Sequence, residues 1–154
     1  MTGVQGVPPD RDRYHVGFCD PAGGSGDDSM TLAIAHCEPD GTAVLDCLSE
    51  RKPPFSPESV VAEFAATCRA YRVAHIVGDR FGGTWPAERF AAHGIAYEPS
   101  ARPKTELYME FLVLLSSARV RLLDSARLLV QLCALERRTA RGGRDSVDHP
   151  VNGP

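Results

Sequence analysis

Apolar and polar positions alternate along residues 14–20, YHVGFCD, which sets His15, Gly17 and Cys19 on one side of an extended segment and Val16, Phe18 and Asp20 on the other. The segment ends in a glycine-rich turn, PAGGSGDDS at 21–29. Strand-like patterning resumes over 30–37, MTLAIAHC, and again over 42–50, TAVLDCLSE, after the turn Pro39-Asp40-Gly41. Connections this short join antiparallel neighbours, because a parallel pair needs a crossover of about a dozen residues or more. The first three strands therefore read as a meander.

The period then lengthens. Ser56 and Pro57 form a helix start, and Val60, Val61, Phe64, Cys68 and Tyr71 follow at helical spacing. The run AHIVGD at 74–79 is apolar and closes on an acid; strand, helix and strand in this order imply a right-handed crossover and a parallel pair. Further along, the pattern predicts a short helix over 85–93 ending at Gly94 and a brief strand at 95–98. A helix over 103–118 carries Leu107, Phe111, Leu114, Leu115 and Ala118 on one side, and an extended piece follows at 119–123. Asp124 then caps a last helix bearing Leu128, Leu129, Leu132, Cys133 and Leu135, which stops near Gly142 and Gly143. Residues 1–13 read as a flexible leader, and the tail RDSVDHPVNGP is polar and turn-rich.

Composition narrows the class. A chain of 154 residues with 43% hydrophobic and 24% charged residues suits one α/β domain, here 14–154, with a single core. No apolar run approaches the roughly 18–20 residues of a membrane-spanning helix, and the start lacks the charged-then-apolar pattern of a secretory signal. The five cysteines stand at wide spacings without a CxxC or a zinc-finger pattern, so a reducing compartment is the expectation. A net charge of −3 argues against holding nucleic acid by bulk electrostatics, so any such contact is local or bridged by metal ions. Arg137, Arg138, Arg141 and Arg144, opposed by Glu136, form a local basic run that suits either a phosphate backbone or a solvated helix end. Arg80 and Lys104 are further candidates for backbone contacts.

Two acids carry the candidate chemistry. Asp20 follows VGFC and Asp79 follows HIVG, each at the end of an apolar strand. Side chains at the carboxyl ends of parallel strands converge on one crevice. If these strands are parallel neighbours, the facing carboxylates repel unless one takes a proton or a divalent cation lies between them. Hard oxygen donors with no nearby His/Cys set favour Mg²⁺ or Mn²⁺, the ions of two-metal phosphodiester hydrolysis. Taken singly, either acid also fits a turn residue or helix cap. The glycine-rich turn at 22–26 lacks the P-loop lysine and the dinucleotide spacing; it reads as a hairpin loop whose small residues let a substrate backbone approach Asp20. Asp27 and Asp28 read as solvated, and Trp85 as a core or cap aromatic, with base stacking as the alternative.

The segments GFCDPAGGSGDDSMTLAIAH, HIVGDRFGGTWPAERFAAHGIAYEPS, KTELYMEFLVLLSSARVRLLD and GGRDSVDHPVNGP, in this order, resemble the C-terminal nuclease domain of the large terminase subunit of tailed bacteriophages. The resemblance implies an RNase H-like fold: a five-stranded mixed sheet, an antiparallel meander and then parallel strands, flanked by helices. It also implies a Mg²⁺- or Mn²⁺-dependent endonuclease, with one or two ions, that cuts concatemeric viral double-stranded DNA during packaging in the cytoplasm of an infected bacterium. Asp20 and Asp79 match the first and second catalytic carboxylates. The third normally comes from an Asp-Asp pair shortly after a DHP segment, opening the final helix. Here Asp148-His149-Pro150 is present but Pro154 is reached before such a pair, so the expectation is a third carboxylate either past Pro154 or at the nearest substitutes, Asp148 or Asp145, and a domain described without its final helix. The implied partners are DNA and the rest of a packaging motor, namely its ATPase domain, small terminase subunit and portal. No Walker sequence is present, so translocation is not expected of this chain. Holliday-junction resolvases and ribonucleases H share the strand order, DPAGGSG is also similar to the phosphate loop of actin-like sugar kinases, and a non-catalytic docking module is a further alternative.

Overall fold

A computed structural model describes residues 2–80, 83–139, 142–148 and 150. The expected meander is present as β2 (His15–Asp20), β3 (Met30–Cys37) and β4 (Ala43–Arg51), paired antiparallel. The helix α1 (Pro57–Ala70) then carries the chain to β5 (His75–Gly78), which pairs parallel with β2. Pro57 sits in the first turn of α1, where its missing N–H costs nothing, but Ser56 makes no side-chain capping bond. The next crossover, α2 (Trp85–Ala92), leads to β6 (Ala96–Pro99), parallel to β5. These strands give the order β4-β3-β2-β5-β6, the mixed five-strand arrangement the sequence implied.

The sheet is wider than that. Residues Thr2–Gly6, expected as part of a flexible leader, form β1 and pair antiparallel along the outer edge of β4. An unpaired strand edge offers a row of backbone donors and acceptors, and β1 satisfies them without needing an apolar pattern of its own. The two-residue strand β7 (Val120–Arg121) also pairs with β4.

Burial explains the alternation. Cys19, Leu32, Ile34 and Cys47 project from one face of the sheet and pack with Val60, Val61, Phe64, Ala65 and Cys68 of α1, all at most 3% exposed. Ile76, Phe90 and Ile95 extend the same cluster. The β3–β4 register slips between Ile34, opposite Cys47, and Ala35, opposite Leu45, so Asp46 is the extra residue of a β-bulge. The bulge allows the consecutive residues Asp46 and Cys47 both to be buried.

The chain divides into two compact units, residues 1–100 with 121–123, and residues 101–120 with 124–154. The hydrophobic cluster lies entirely in the first. The second contains α3 (Lys104–Ser116), α4 (Ala126–Cys133), β8 (Glu136–Thr139) and β9 (Asp145–Asp148). Its last helix ends well before Gly142. Instead Glu136–Thr139 pairs antiparallel with Asp145–Asp148, and Gly142 and Gly143 take φ of 116° and 80° on the way into β9. Ser125 caps α4, its hydroxyl accepting from the Leu128 N–H at 3.3 Å; the helix starts one residue too late for Asp124 to do so. Among the described residues no helix is long and apolar enough to cross a membrane.

Candidate metal centre

The parallel register runs Gly17 opposite Ile76, Phe18 opposite Val77 and Cys19 opposite Gly78. The next step sets Asp20 beside Asp79, and the ladder reaches that far, because the Asp79 N–H donates to the Cys19 carbonyl at 3.1 Å. Adjacent strands stand about 4.8 Å apart, so two exposed carboxylates occupy neighbouring carboxyl-terminal strand ends.

Several contacts fix Asp79. Its Oδ1 accepts the Arg80 N–H at 2.8 Å, and its carbonyl accepts the Tyr97 hydroxyl at 2.5 Å. Tyr97 in turn stacks on the fully buried Phe90, with ring centroids 5.6 Å apart. The preceding Gly78 carbonyl accepts the Ser100 N–H at 2.7 Å. Burial pushes the Tyr97 phenol above its ordinary range, and the charges of Asp79 and Asp20 push it the same way. This hydroxyl therefore stays a donor beside the two acids.

On the Asp20 side, Pro21 and Ala22 are buried immediately after the strand, which anchors the loop. Gly24 takes φ of 80° and accepts the Phe55 N–H at 3.2 Å on its carbonyl. A Cβ there would lie 2.3 Å from the Phe55 carbonyl oxygen, so this glycine serves close packing of the loop. Trp85 is half-buried against the core, as its core reading expected, and with Gly23, Pro57 and Glu58 it lines a cleft of about 350 Å³.

The remaining predicted residues divide as follows. Arg80 is exposed next to Asp79. Asp148 and Lys104 both lie in the second unit and pair with each other, Nζ to Oδ1, at 2.9 Å. Arg138 is on β8, with Glu136 at 2.8 Å, and its neighbour Arg137 pairs with Asp145 at 2.5 Å. These two arginines therefore sit on a strand with local acids, not beyond a helix end. Arg144 is exposed, and Arg141 lies outside the described residues. Sequence reasoning missed Gly78 and Tyr97, although a glycine directly before a strand-end acid was a visible signal.

A pair of hard oxygen donors at adjacent strand ends fits a divalent cation held by few protein ligands, with positions left for water and phosphate. The mixed sheet with its flanking helices matches an RNase H-like fold. Among solved structures, the large terminase nuclease from thermophilic phage G20c matches at a TM-score of 0.77 and 17% identity, over 95% of this chain and 77% of that chain. The same nuclease with bound magnesium matches at 0.77 and 18%, with the same coverage. The HK97 bacteriophage large terminase matches at 0.70 and 12%, over 96% of this chain and 40% of that one. No protein-family model matches the sequence, and no curated protein does.

Proposed function

We propose that this chain is a metal-dependent endonuclease domain that cuts concatemeric double-stranded viral DNA during genome packaging. The observation that carries the reading is the placement of Asp20 and Asp79 at the carboxyl ends of neighbouring parallel strands, in a fold shared with terminase nucleases. In this reading Asp20 and Asp79 hold one or two Mg²⁺ or Mn²⁺ ions. When bound, such ions lower the pKa of water and neutralise charge developing on the phosphate.

The chain's own groups do the rest. Asp20 and Asp79 accept hydrogen bonds from the attacking water and orient it in line with the scissile bond. Tyr97 and the Cys19 carbonyl hold the Asp79 backbone beside the end of the strand that carries Asp20. Arg80 is exposed next to this pair and supplies a charge-assisted contact to a DNA phosphate. Lys104, Arg138, Arg141 and Arg144 are the further phosphate contacts of the proposal. The partners it implies are the ATPase domain, small terminase subunit and portal of a packaging motor, working in the cytoplasm of an infected bacterium; the match to the HK97 large terminase supports that setting.

The test is plasmid cleavage with Mn²⁺, with EDTA, and for Asp20→Asn and Asp79→Asn. Cleavage is expected to need the ion and to fall to the EDTA background in either variant. Metal-independent cutting, or a variant that cuts at the parental rate, would overturn the mechanism. Asp148→Asn tests Asp148 as the third carboxylate; unchanged cleavage removes it from the set.

A further inference from the structure

A second group of metal-ligating side chains lies at the other end of β2. His15 opens that strand and Asp20 closes it, a separation of about 17 Å at roughly 3.3 Å per residue. His15 stands directly opposite His36 in the β2–β3 register, with ring centroids 5.7 Å apart. The bulge residue Asp46 completes the group from β4. The three side chains are 2%, 9% and 5% exposed, and one donor atom from each lies within 4.8 Å of the others. Tyr71 closes the group on one side, its ring edge-on to His15 at 5.3 Å and its hydroxyl donating to the Val7 carbonyl.

We propose that His15, His36 and Asp46 form a binding site for a zinc-type divalent transition ion, separate from the Asp20–Asp79 pair and independent of the nuclease reading. Asp46 Oδ2 lies 2.7 Å from His36 Nδ1 and 3.7 Å from His15 Nε2. Two ligand atoms on one tetrahedral zinc, each about 2.0–2.1 Å from the ion, stand roughly 3.3 Å apart. The two Asp46 separations bracket that value and the His15 and His36 donor atoms lie within 4.8 Å of one another, so side-chain shifts with no change of backbone pairing bring the three donors onto one ion. Two imidazoles and one carboxylate suit zinc, cobalt or iron far better than Mg²⁺.

His36 supplies the second observation. Its Nδ1 faces Asp46, while its Nε2 is buried, lies 3.5 Å from Glu38 Oε1, and has no hydrogen-bond partner among the described residues. A neutral imidazole carries one proton, and here both ring nitrogens face carboxylates. An ion on Nδ1 resolves the conflict: the proton then resides on Nε2 and points at Glu38, the usual arrangement in which a carboxylate orients a metal-bound histidine. Glu38 is itself held for this, with Arg13 Nη1 on Oε2 at 2.6 Å and Arg121 Nη1 at 3.7 Å from Oε1. The bulge at Asp46 acts here as bulges do elsewhere, re-aiming one side chain into a site.

The experiment uses the full chain carrying Asp20→Asn and Asp79→Asn, so that the proposed nuclease carboxylates cannot contribute. The protein is stripped with EDTA, titrated with Zn²⁺ against a chromophoric chelator, and titrated with Co²⁺ while its visible spectrum is recorded. A single Zn²⁺ equivalent, tetrahedral-type Co²⁺ bands and a Zn²⁺-dependent rise in Tm are expected. His15→Gln and His36→Gln should each abolish that equivalent, and Glu38→Gln should weaken it about 10- to 100-fold. Absence of saturable Zn²⁺ binding, or binding unchanged in both histidine variants, would overturn the proposal. If a variant fails to fold by circular dichroism, the ring-nitrogen resonances of His15 and His36 decide: they must shift on Zn²⁺ addition, and unchanged resonances reject the site.

Discussion

Gly78 is where the geometry of the candidate site is most exposed to a single methyl group. A Cβ at this position would lie 2.3 Å from the Tyr97 hydroxyl oxygen and 2.6 Å from the Cys19 carbonyl oxygen. The ring can yield, but the carbonyl belongs to the ladder that aligns Asp20 with Asp79, so the strands themselves must shift. Gly78→Ala is therefore expected to destabilise the fold by about 1–3 kcal/mol, the usual cost of overpacking, and to lower cleavage more than that loss of folded protein explains. Tyr97→Phe is the milder counterpart. It removes the hydroxyl from the Asp79 carbonyl while keeping the ring on Phe90, and should cost roughly 0.5–1.5 kcal/mol. Urea unfolding and plasmid cleavage on the same preparations check both; a Gly78→Ala variant with parental stability and activity would show that close approach is not what positions Asp79.

At the level of elements, what could be read from the sequence depended on whether local patterning or tertiary pairing decided the outcome. Alternation in β2 and β3, the Pro57 helix start and the α1 crossover fixed the parallel pairing of β2 with β5, and with it the meeting of Asp20 and Asp79. By contrast β1, TGVQG, has no apolar alternation, and its extended state follows from pairing along β4. The bulge at Asp46 was equally hidden, because strict alternation puts that residue on the face opposite Cys47. The pairing of β8 with β9 replaced an expected helix end, since its stabilising contacts span the glycines. In that pair Arg137, and then Thr139, hydrogen-bond the Asp145 carboxyl and hold it below the ordinary carboxylate value of 3.8. A depressed folded pKa contributes stability above 3.8 that is lost as pH falls through the lower folded value. Protection of the amides that form the β8–β9 ladder should thus fall selectively in acid, and Asp145→Asn should flatten that dependence. Equal acid sensitivity in parent and variant would remove the carboxyl from the account.

Across the whole molecule, the two units place their titratable groups differently, which gives alkaline pH a specific target. Cys19, Cys47, Cys68, Tyr71 and Tyr97 all belong to the first unit and pack in or against its core, whereas Cys133 of the second unit is exposed. Burial favours the neutral form of each buried group. It pushes the Cys68 thiol from 9.0 up to about 12 and the Tyr71 phenol from 10.0 up to about 12, and it raises Cys19, Cys47 and Tyr97 in the same direction. For a raised folded pKa, stability is fully present below the unfolded value and is lost as pH rises through the folded one. Nothing is lost below about pH 9; above it the unfolded Cys68 thiol ionises while the folded one does not, which withdraws about 1.4 kcal/mol per pH unit. Between about pH 9 and 10.5 that is of the order of 2 kcal/mol for Cys68, comparable to the effect of a substantial core mutation. Urea unfolding at pH 8 and pH 10.5 should show the first unit weakening, reported by amides of α1 and β3, before the β8–β9 pair responds. Cys68→Ala should lower stability at pH 8, because it leaves a cavity, yet should reduce the difference between the two pH values. A pH difference unchanged by that substitution would place the alkaline loss elsewhere than in the buried Cys68 thiol.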